Sequence, residues 1–174
     1  MKISLRLLAC ALCALFLLSA VACDGGNWRD DLTAESLSIT VKAAIPAEDG
    51  WNTVSGAYIS PSSWGEDYAD YLALVSDYTI VISAESDMNV DEMGIFHVKD
   101  AGDAAKIKSF AESYLTAYKL RMAPLLESYN QAELPKLECA EVKVCGSYVL
   151  YTVLSAEDTA AAQNAFEKAL ELAE

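Results

Sequence analysis

Four short segments of the chain carry the apolar and polar patterns that are typical of β-strands, either an alternation with period two or a run of β-branched and aromatic residues. These segments are Tyr78–Ser83, Glu92–Lys99, Leu137–Cys145 and Tyr148–Leu154. Polar residues separate the first two, and Gly146-Ser147 separates the last two, so each pair predicts a hairpin. Gly94, inside the second segment, is a candidate for a β-bulge. We therefore predict an antiparallel, four-stranded sheet built from two hairpins.

Apolar residues at helical spacing predict four helices around these strands. They span about Thr33–Ala44, Asp67–Leu74, Gly102–Tyr129 and the residues after the capping sequence at Ser155. Pro124 should kink or restart the long helix, and residues 48–63 are rich in Gly, Pro, Ser and Asn and predict a loop. The order ααββαββα favours an α+β fold with the helices packed mainly on one face of the sheet.

The first 22 residues have the layout of an export signal. Lys2 and Arg6 precede a 16-residue run, Leu7–Ala22, that is apolar apart from Ser19, and acids begin at Asp24. This run is shorter than the ~20 residues that cross a bilayer as a helix, so a permanent membrane helix is disfavoured. We predict a signal peptide at residues 1–22.

Cys23 directly follows this signal. The sequence Ala20-Val21-Ala22-Cys23 is similar to a bacterial lipobox, in which the cysteine becomes the lipidated first residue, although Ala20 stands where Leu is usual. The same residues also fit the A-x-A pattern of ordinary cleavage, which would give a secreted protein with an N-terminal Cys23 thiol. We predict lipidation at Cys23, a lipid-anchored tether at residues 23–32, and a single domain at residues 33–174 on the extracytoplasmic face of the membrane.

Charge and composition narrow the possible partners. The chain has 26 acids against 12 Lys and Arg, and residues 23–174 keep all the acids but 10 of the cations, which gives them a net charge of −16. Such a surface repels nucleic acid and anionic lipid headgroups. We therefore expect no nucleic-acid partner, and a membrane attachment that depends on the anchor. A hydrophobic content of 53% is too high for an intrinsically disordered chain.

Three segments carry a resemblance to a known family: Asp91–Asp100, Ser128–Leu137 and Val142–Leu150. In this order they resemble the bacterial lipoprotein family catalogued as domain of unknown function 4358, over roughly Leu37 to Leu172. The resemblance implies a small extracytoplasmic lipoprotein. It implies no activity and supplies no catalytic residues.

His97 is the single histidine of the chain and the first candidate for acid–base or metal chemistry. A catalytic histidine needs a nucleophile and an orienting carboxylate, and a metal site needs several ligands. The sequence offers no second histidine and no nucleophile-elbow pattern. A surface or partly buried position on a strand is therefore favoured for His97.

A partial calcium-loop pattern precedes the second predicted strand. Asp87, Asn89 and Asp91 occupy its first, third and fifth positions, but Glu92 replaces the glycine of the sixth position and Val98 the glutamate of the twelfth. A solvated turn is the favoured interpretation, and we predict no metal site and no cofactor.

Six aromatic residues fall within 28 positions, largely in the predicted loop: Trp51, Tyr58, Trp64, Tyr68, Tyr71 and Tyr78. Aromatic side chains on loops can stack on a sugar or grip a peptide, so Trp51, Tyr58 and Trp64 are candidate ligand contacts. The alternative is that these rings cover the sheet as part of the core.

Together these patterns favour a non-catalytic binding or interaction domain of the cell envelope. Its expected partners are the membrane, through the lipid anchor, and an envelope protein or wall component. The alternatives are an extracytoplasmic hydrolase with an unrecognised carboxylate-based site and a small-ligand binder that uses the aromatic segment 51–78. A solute-binding lipoprotein ranks lower because the chain is short for two lobes.

Overall fold

The computed structural model describes residues 27–45, 50–54, 56–84 and 88–172, so the predicted export signal and Cys23 lie outside the described residues. Its helices are α1 (Ala34–Lys42), α2 (Pro61–Trp64), α3 (Tyr68–Leu72), α4 (Ala104–Tyr129), α5 (Leu134–Glu138) and α6 (Ala156–Leu170). Its strands are β1 (Trp51–Val54), β2 (Val75–Ser83), β3 (Glu92–Val98), β4 (Glu141–Cys145) and β5 (Tyr148–Val153). Short 3₁₀ turns occur at Gly56–Tyr58, Ala101–Asp103 and Gln131–Glu133. Within these ranges, no helix combines the length and apolarity needed to cross a membrane.

The α+β class is confirmed, but the predicted four-stranded sheet is wrong. The strands form one antiparallel sheet of five in the order β1-β2-β3-β5-β4, and the pairing of β3 with β5 joins the two hairpins into it. The additional strand, β1, pairs with β2 at the sheet edge and lies in the segment that was predicted to be a loop. Its four residues include the exposed Asn52 and Thr53, so it is too short and too polar for periodicity to reveal it.

The prediction of helices mainly on one face is also wrong, because helices cover both faces. Side chains alternate along the strands. Phe96 and Tyr151 therefore belong to the core that contains α4, whereas Ile95 and Leu150 belong to a second core with α1 and α6. All six residues of β5 are buried. A strand that is buried on both faces requires a layer of helix on each side.

Several boundaries follow from local residues. Thr33 caps α1 by accepting a hydrogen bond from the Ser36 N–H, and Ser155 caps α6 in the same way through Asp158. The predicted third strand begins late because Leu134–Glu138 is a helix with Pro135 in its first turn, a position that suits proline.

The structure bears on two further expectations: it shows no bulge at Gly94 and no restart of the helix at Pro124. The register of β3 continues through Gly94, which pairs with Ile80 and Tyr151, so no bulge occurs there. The α4 helix continues through Pro124. Proline deprives the carbonyl four residues earlier of its helical partner. Since both Pro124 and Leu120 are exposed, water can reach that carbonyl.

Candidate functional site

The first candidate site is a buried carboxylate at the start of the central strand. Glu92 begins β3, and its side chain lies on the face that α4 covers, with only 1% of the residue exposed to solvent. A buried carboxylate is costly unless hydrogen-bond donors surround it. The position of Glu92 therefore requires donors from the elements packed over the sheet.

Three tyrosines supply these donors. The Tyr151 hydroxyl donates to Glu92 Oε1 at 2.6 Å, and the Tyr114 hydroxyl donates to the same oxygen at 2.7 Å. The Tyr58 hydroxyl donates to Glu92 Oε2 and lies 3.4 Å from the Tyr114 hydroxyl. These tyrosines come from β5, α4 and the 3₁₀ turn before α2. We call Glu92, Tyr58, Tyr114 and Tyr151 the carboxylate–tyrosine cluster.

Burial dominates the electrostatics of this cluster. It raises the pKa of Glu92 above the ordinary value, although the hydroxyls of Tyr151, Tyr58 and Tyr114 act in the opposite direction by stabilising the charged form. Burial, and then the nearby carboxylate of Glu92, also raise the pKa of each of the three tyrosines. The hydroxyls therefore stay protonated and act as donors, while the raised pKa makes Glu92 easier to protonate than an exposed glutamate.

Aromatic packing encloses the cluster. The Trp64 ring stacks on Tyr114 with centroids 3.9 Å apart and an interplanar angle of 4°, and it also meets Phe110 and Tyr151. Gly94 provides room for the Tyr151 ring, since a Cβ at this position would lie 2.2 Å from Tyr151 Cε1. The carboxylate is thus sealed by rings and not open to a substrate.

The second candidate site surrounds His97, at the opposite end of β3 and on its other face. His97 Nε2 lies 2.7 Å from Asp30 Oδ1, and Nδ1 lies 3.2 Å from Asp77 Oδ2. The imidazole stacks on Tyr148, its neighbour on β5, with centroids 4.3 Å apart. Both ring nitrogens therefore contact carboxylates of the same chain.

The arrangement around His97 differs from a nucleophile–base pair. The Ser147 hydroxyl donates to Asp30 Oδ1, the same oxygen that faces His97 Nε2. A serine nucleophile must instead give its proton to the histidine. The hydrogen bond from Ser147, and then the contact with His97, lower the pKa of the Asp30 carboxyl. Asp77 meanwhile uses its other oxygen to accept a hydrogen bond from the Ala34 N–H at 2.5 Å.

The three aromatic residues predicted as ligand contacts are not brought together. Trp64 is 5% exposed and belongs to the core on the α4 face, and Tyr58 is partly buried against that core and donates to Glu92. Trp51 is partly buried against the opposite core, with α1 and α6. The packing of Trp64 and Tyr58 agrees with the alternative that these rings cover the sheet.

The partial calcium pattern contains an ion pair in its described part. Asp91 Oδ1 lies 2.7 Å from Lys136 Nζ, which also lies 2.9 Å from Glu133 Oε2. Glu133 in turn accepts a hydrogen bond from the Val90 N–H at 3.1 Å. Asp87 lies outside the described residues, and within them no group of three or more His, Cys, Asp or Glu side chains could hold a metal.

An open depression of about 350 Å³ lies where α5 leads into β4 and α6 begins, and it is lined by Glu138, Cys139, Ala140, Glu141, Ala156 and Thr159. Its two carboxylates have partners, because Glu138 pairs with Lys119 at 2.5 Å and Glu141 accepts from Gln163 at 2.8 Å. Cys139 caps α5 and does not lie on a strand, and no disulfide joins it to Cys145.

Comparisons with known proteins address the family resemblance. A search of curated proteins and a search of solved structures found no match. The sequence predicts a resemblance over Leu37–Leu172, whereas the family model matches a shorter stretch. This stretch includes all three segments that carry the resemblance. It also includes Glu92, His97 and two of the three cluster tyrosines. Residues 70–154 of the chain match the family model described as Domain of unknown function (DUF4358).

Proposed function

We propose that this protein is a lipid-anchored domain on the outer face of the cytoplasmic membrane, and that it binds an envelope protein or wall component without catalysing a reaction. The anchor is supported by the sequence, in which Cys23 follows a short apolar run directly. The family match is compatible with such a domain but carries no activity.

One observation supports the non-catalytic part of the proposal. Both groups with acid–base capacity at the ends of β3 are bonded to other residues of the protein, Glu92 to three tyrosines and His97 to two aspartates. The raised pKa of Glu92 is the feature that favours the alternative, a hydrolase with a carboxylate site. With 1% of the residue exposed, however, a substrate could not reach Glu92 unless the packing of Trp64 and the tyrosines opened.

The anchor is tested by metabolic labelling with a fatty acid in cells that express the full chain. Cys23→Ala should abolish the label and release the protein from the membrane fraction. The matched control is Cys139→Ala, which removes a thiol of the folded domain and should leave both properties unchanged. Continued labelling of the Cys23→Ala protein would refute the assignment.

The binding activity is tested by cross-linking in intact cells. The anchored protein should yield the same cross-linked partner in repeated experiments, and the released Cys23→Ala protein should lose it. Glu92→Gln and His97→Gln should retain the partner at temperatures at which these variants are folded, because neither group is proposed to act chemically. Recovery of no specific partner would contradict the interaction proposal.

A further inference from the structure

The described part of the predicted tether is bonded to one end of the domain. The Leu172 N–H donates to the Asn27 carbonyl at 3.0 Å, and the Arg29 N–H donates to the Leu170 carbonyl at 2.9 Å. Trp28 lies between these two contacts and forms an antiparallel bridge with Glu171. The chain before α1 is therefore fixed to the C-terminal end of α6.

Further contacts fix the same segment to the turn between β4 and β5. Trp28 lies over Gly146, where an added Cβ would come within 2.9 Å of Trp28 Cβ. The Tyr148 hydroxyl accepts from the Leu32 N–H at 3.0 Å and donates to the Leu32 carbonyl at 2.7 Å. With the Asp30 contacts to Ser147 and His97, these bonds extend the fixed segment from Asn27 to Leu32.

Little chain is left between this fixed point and the proposed anchor. Four residue steps join Cys23 to Asn27, and at full extension they reach about 14 Å. A tether that was free as far as Leu32 would reach about 31 Å over its nine steps. A domain held by the shorter tether must keep its attachment end within about 14 Å of the lipid-bearing residue.

The topology identifies which surfaces form this attachment end. Three features meet there: the β4–β5 turn, the last turn of α6 and the C-terminal end of β3. The end of β3 lies beside the β4–β5 turn because β3 and β5 are antiparallel. The last turn of α6 lies there because α6 runs back along the sheet from the end of β5. The beginnings of β3, β4 and α6 lie at the opposite end. The two ends of α6 therefore differ in their distance from the attachment point by up to roughly 20 Å over its 15 residues.

We propose that the end of the domain formed by the β4–β5 turn and the last turn of α6 faces the lipid bilayer, and that the opposite end points away from it. This inference rests on the lipid anchor of the proposed function. The short tether, and not a basic patch, sets the orientation. Arg29, the cation nearest the attachment point in sequence, pairs with Asp31 at 2.7 Å, so its charge is compensated within the protein.

Two exposed positions on α6 provide a matched test. Lys168 lies in its last turn and Glu157 in its first turn, 11 residues and about 16 Å apart along the axis. Full-chain proteins with Lys168→Cys or Glu157→Cys, both in a Cys139→Ala background, are purified with their anchor and labelled with a maleimide donor dye. Cys145 is 0% exposed and should not react. The proteins are then added to phosphatidylcholine vesicles that contain phosphatidylethanolamine with an acceptor dye on its headgroup.

The donor at residue 168 should lose more of its emission to the acceptor lipid than the donor at residue 157. Inserting 12 Gly and Ser residues between Gly26 and Asn27 should remove this difference, because the longer tether no longer restricts the domain. A contrary outcome is that the protein stays on the vesicles and yet shows equal losses of donor emission at the two positions, or a larger loss at residue 157. Either result would overturn the orientation while leaving the anchor intact. A difference that survives the insertion would show that the tether does not set the orientation, and this would also overturn the proposal. If the purified protein instead carries no lipid, and its Cys23 thiol reacts with the dye, the anchor is refuted. The proposed orientation is then refuted with it.

Discussion

Replacing Glu92 by Gln should remove a pH dependence of stability that the buried carboxylate imposes. The folded-state pKa of Glu92 lies above the ordinary value of 4.5 because burial outweighs the three tyrosine hydrogen bonds. Between these two pKa values the folded state binds more protons than the unfolded chain, so the wild-type protein loses stability as the pH rises through this window. Gln resembles the protonated acid in shape but does not titrate.

The magnitude follows from proton linkage. Inside the window, each pH unit should lower the stability of the wild-type protein relative to Glu92→Gln by about 1.4 kcal/mol. For a domain of this size, this free energy corresponds to a shift of about 4 °C in melting temperature per pH unit. Below pH 4.5 neither protein carries a titrating charge at this position in the folded state, so the difference between their melting temperatures should level off to a constant value.

The measurement is thermal unfolding, followed by circular dichroism, of the wild-type and variant proteins between pH 4 and pH 8. Glu127→Gln is the charge-matched control, since it removes an exposed acid of α4 outside the cluster and should keep the wild-type profile. Parallel profiles for the wild-type and Glu92→Gln proteins across this range would refute the reasoning. They would mean that the tyrosine hydrogen bonds compensate burial fully and that the pKa of Glu92 is not raised.

Three other substitutions test separate parts of the structure. Gly94→Ala should destabilise the domain by about 2 kcal/mol in chemical denaturation, because the added methyl group collides with the Tyr151 ring, and an unchanged stability would show that this ring has room to move. Asp30→Asn should cost under about 1 kcal/mol at neutral pH, as the side chain is exposed to solvent, which screens its contacts. Because contact with Ser147 lowers the pKa of Asp30, the stability it contributes is present above the ordinary value of 3.8 and is lost as the pH falls below it, so the variant should unfold less steeply in acid. Thr33→Ala should lower the melting temperature by about 3 °C through loss of an N-cap worth about 1 kcal/mol, whereas an unchanged melting temperature would show that the cap contributes nothing.

The strong periodic elements could be predicted from the sequence because their patterns arise from burial. The long helix α4 buries apolar residues at helical spacing, and β2 and β5 consist largely of β-branched and aromatic residues. The edge strand β1 could not be found in this way, since a short strand at an edge needs little apolar surface. The two-faced packing does have a signal in the sequence. The residues of β5 read Tyr-Val-Leu-Tyr-Thr-Val, a nearly continuous apolar run, which indicates a strand buried on both sides.

The carboxylate–tyrosine cluster could not be predicted from the sequence, for a different reason. Glu92 lies an even number of residues from Phe96 and Val98, so its side chain lies on the same face of β3 as theirs. This identifies Glu92 as an acid on a buried face once helices are known to cover both faces of the sheet. The residues that satisfy it come from far along the chain, however, at separations of 34, 22 and 59 positions for Tyr58, Tyr114 and Tyr151. A single sequence can indicate that Glu92 requires hydrogen-bond donors, but it does not show which of the nine tyrosines provide them.

The two polar constellations have one structural consequence in common. Glu92 and His97 lie at opposite ends and on opposite faces of β3, the central strand of the sheet, and each bonds to residues outside the adjacent strands. Glu92 holds α4 and the turn at Tyr58 over one face, whereas His97 holds the N-terminal segment through Asp30 at the other. A hydrogen bond has strict geometry, so these contacts fix the positions of the bonded elements more narrowly than apolar packing does.

If the chain is anchored at Cys23, the bond between His97 and Asp30 connects the central strand directly to the membrane attachment. His97→Phe would keep the stacking on Tyr148 and remove that bond. In the dye experiment the difference between residues 168 and 157 should persist, since the backbone contacts of Asn27 and Arg29 still hold the segment. Loss of the difference without release from the vesicles would show that the bond to His97 is required.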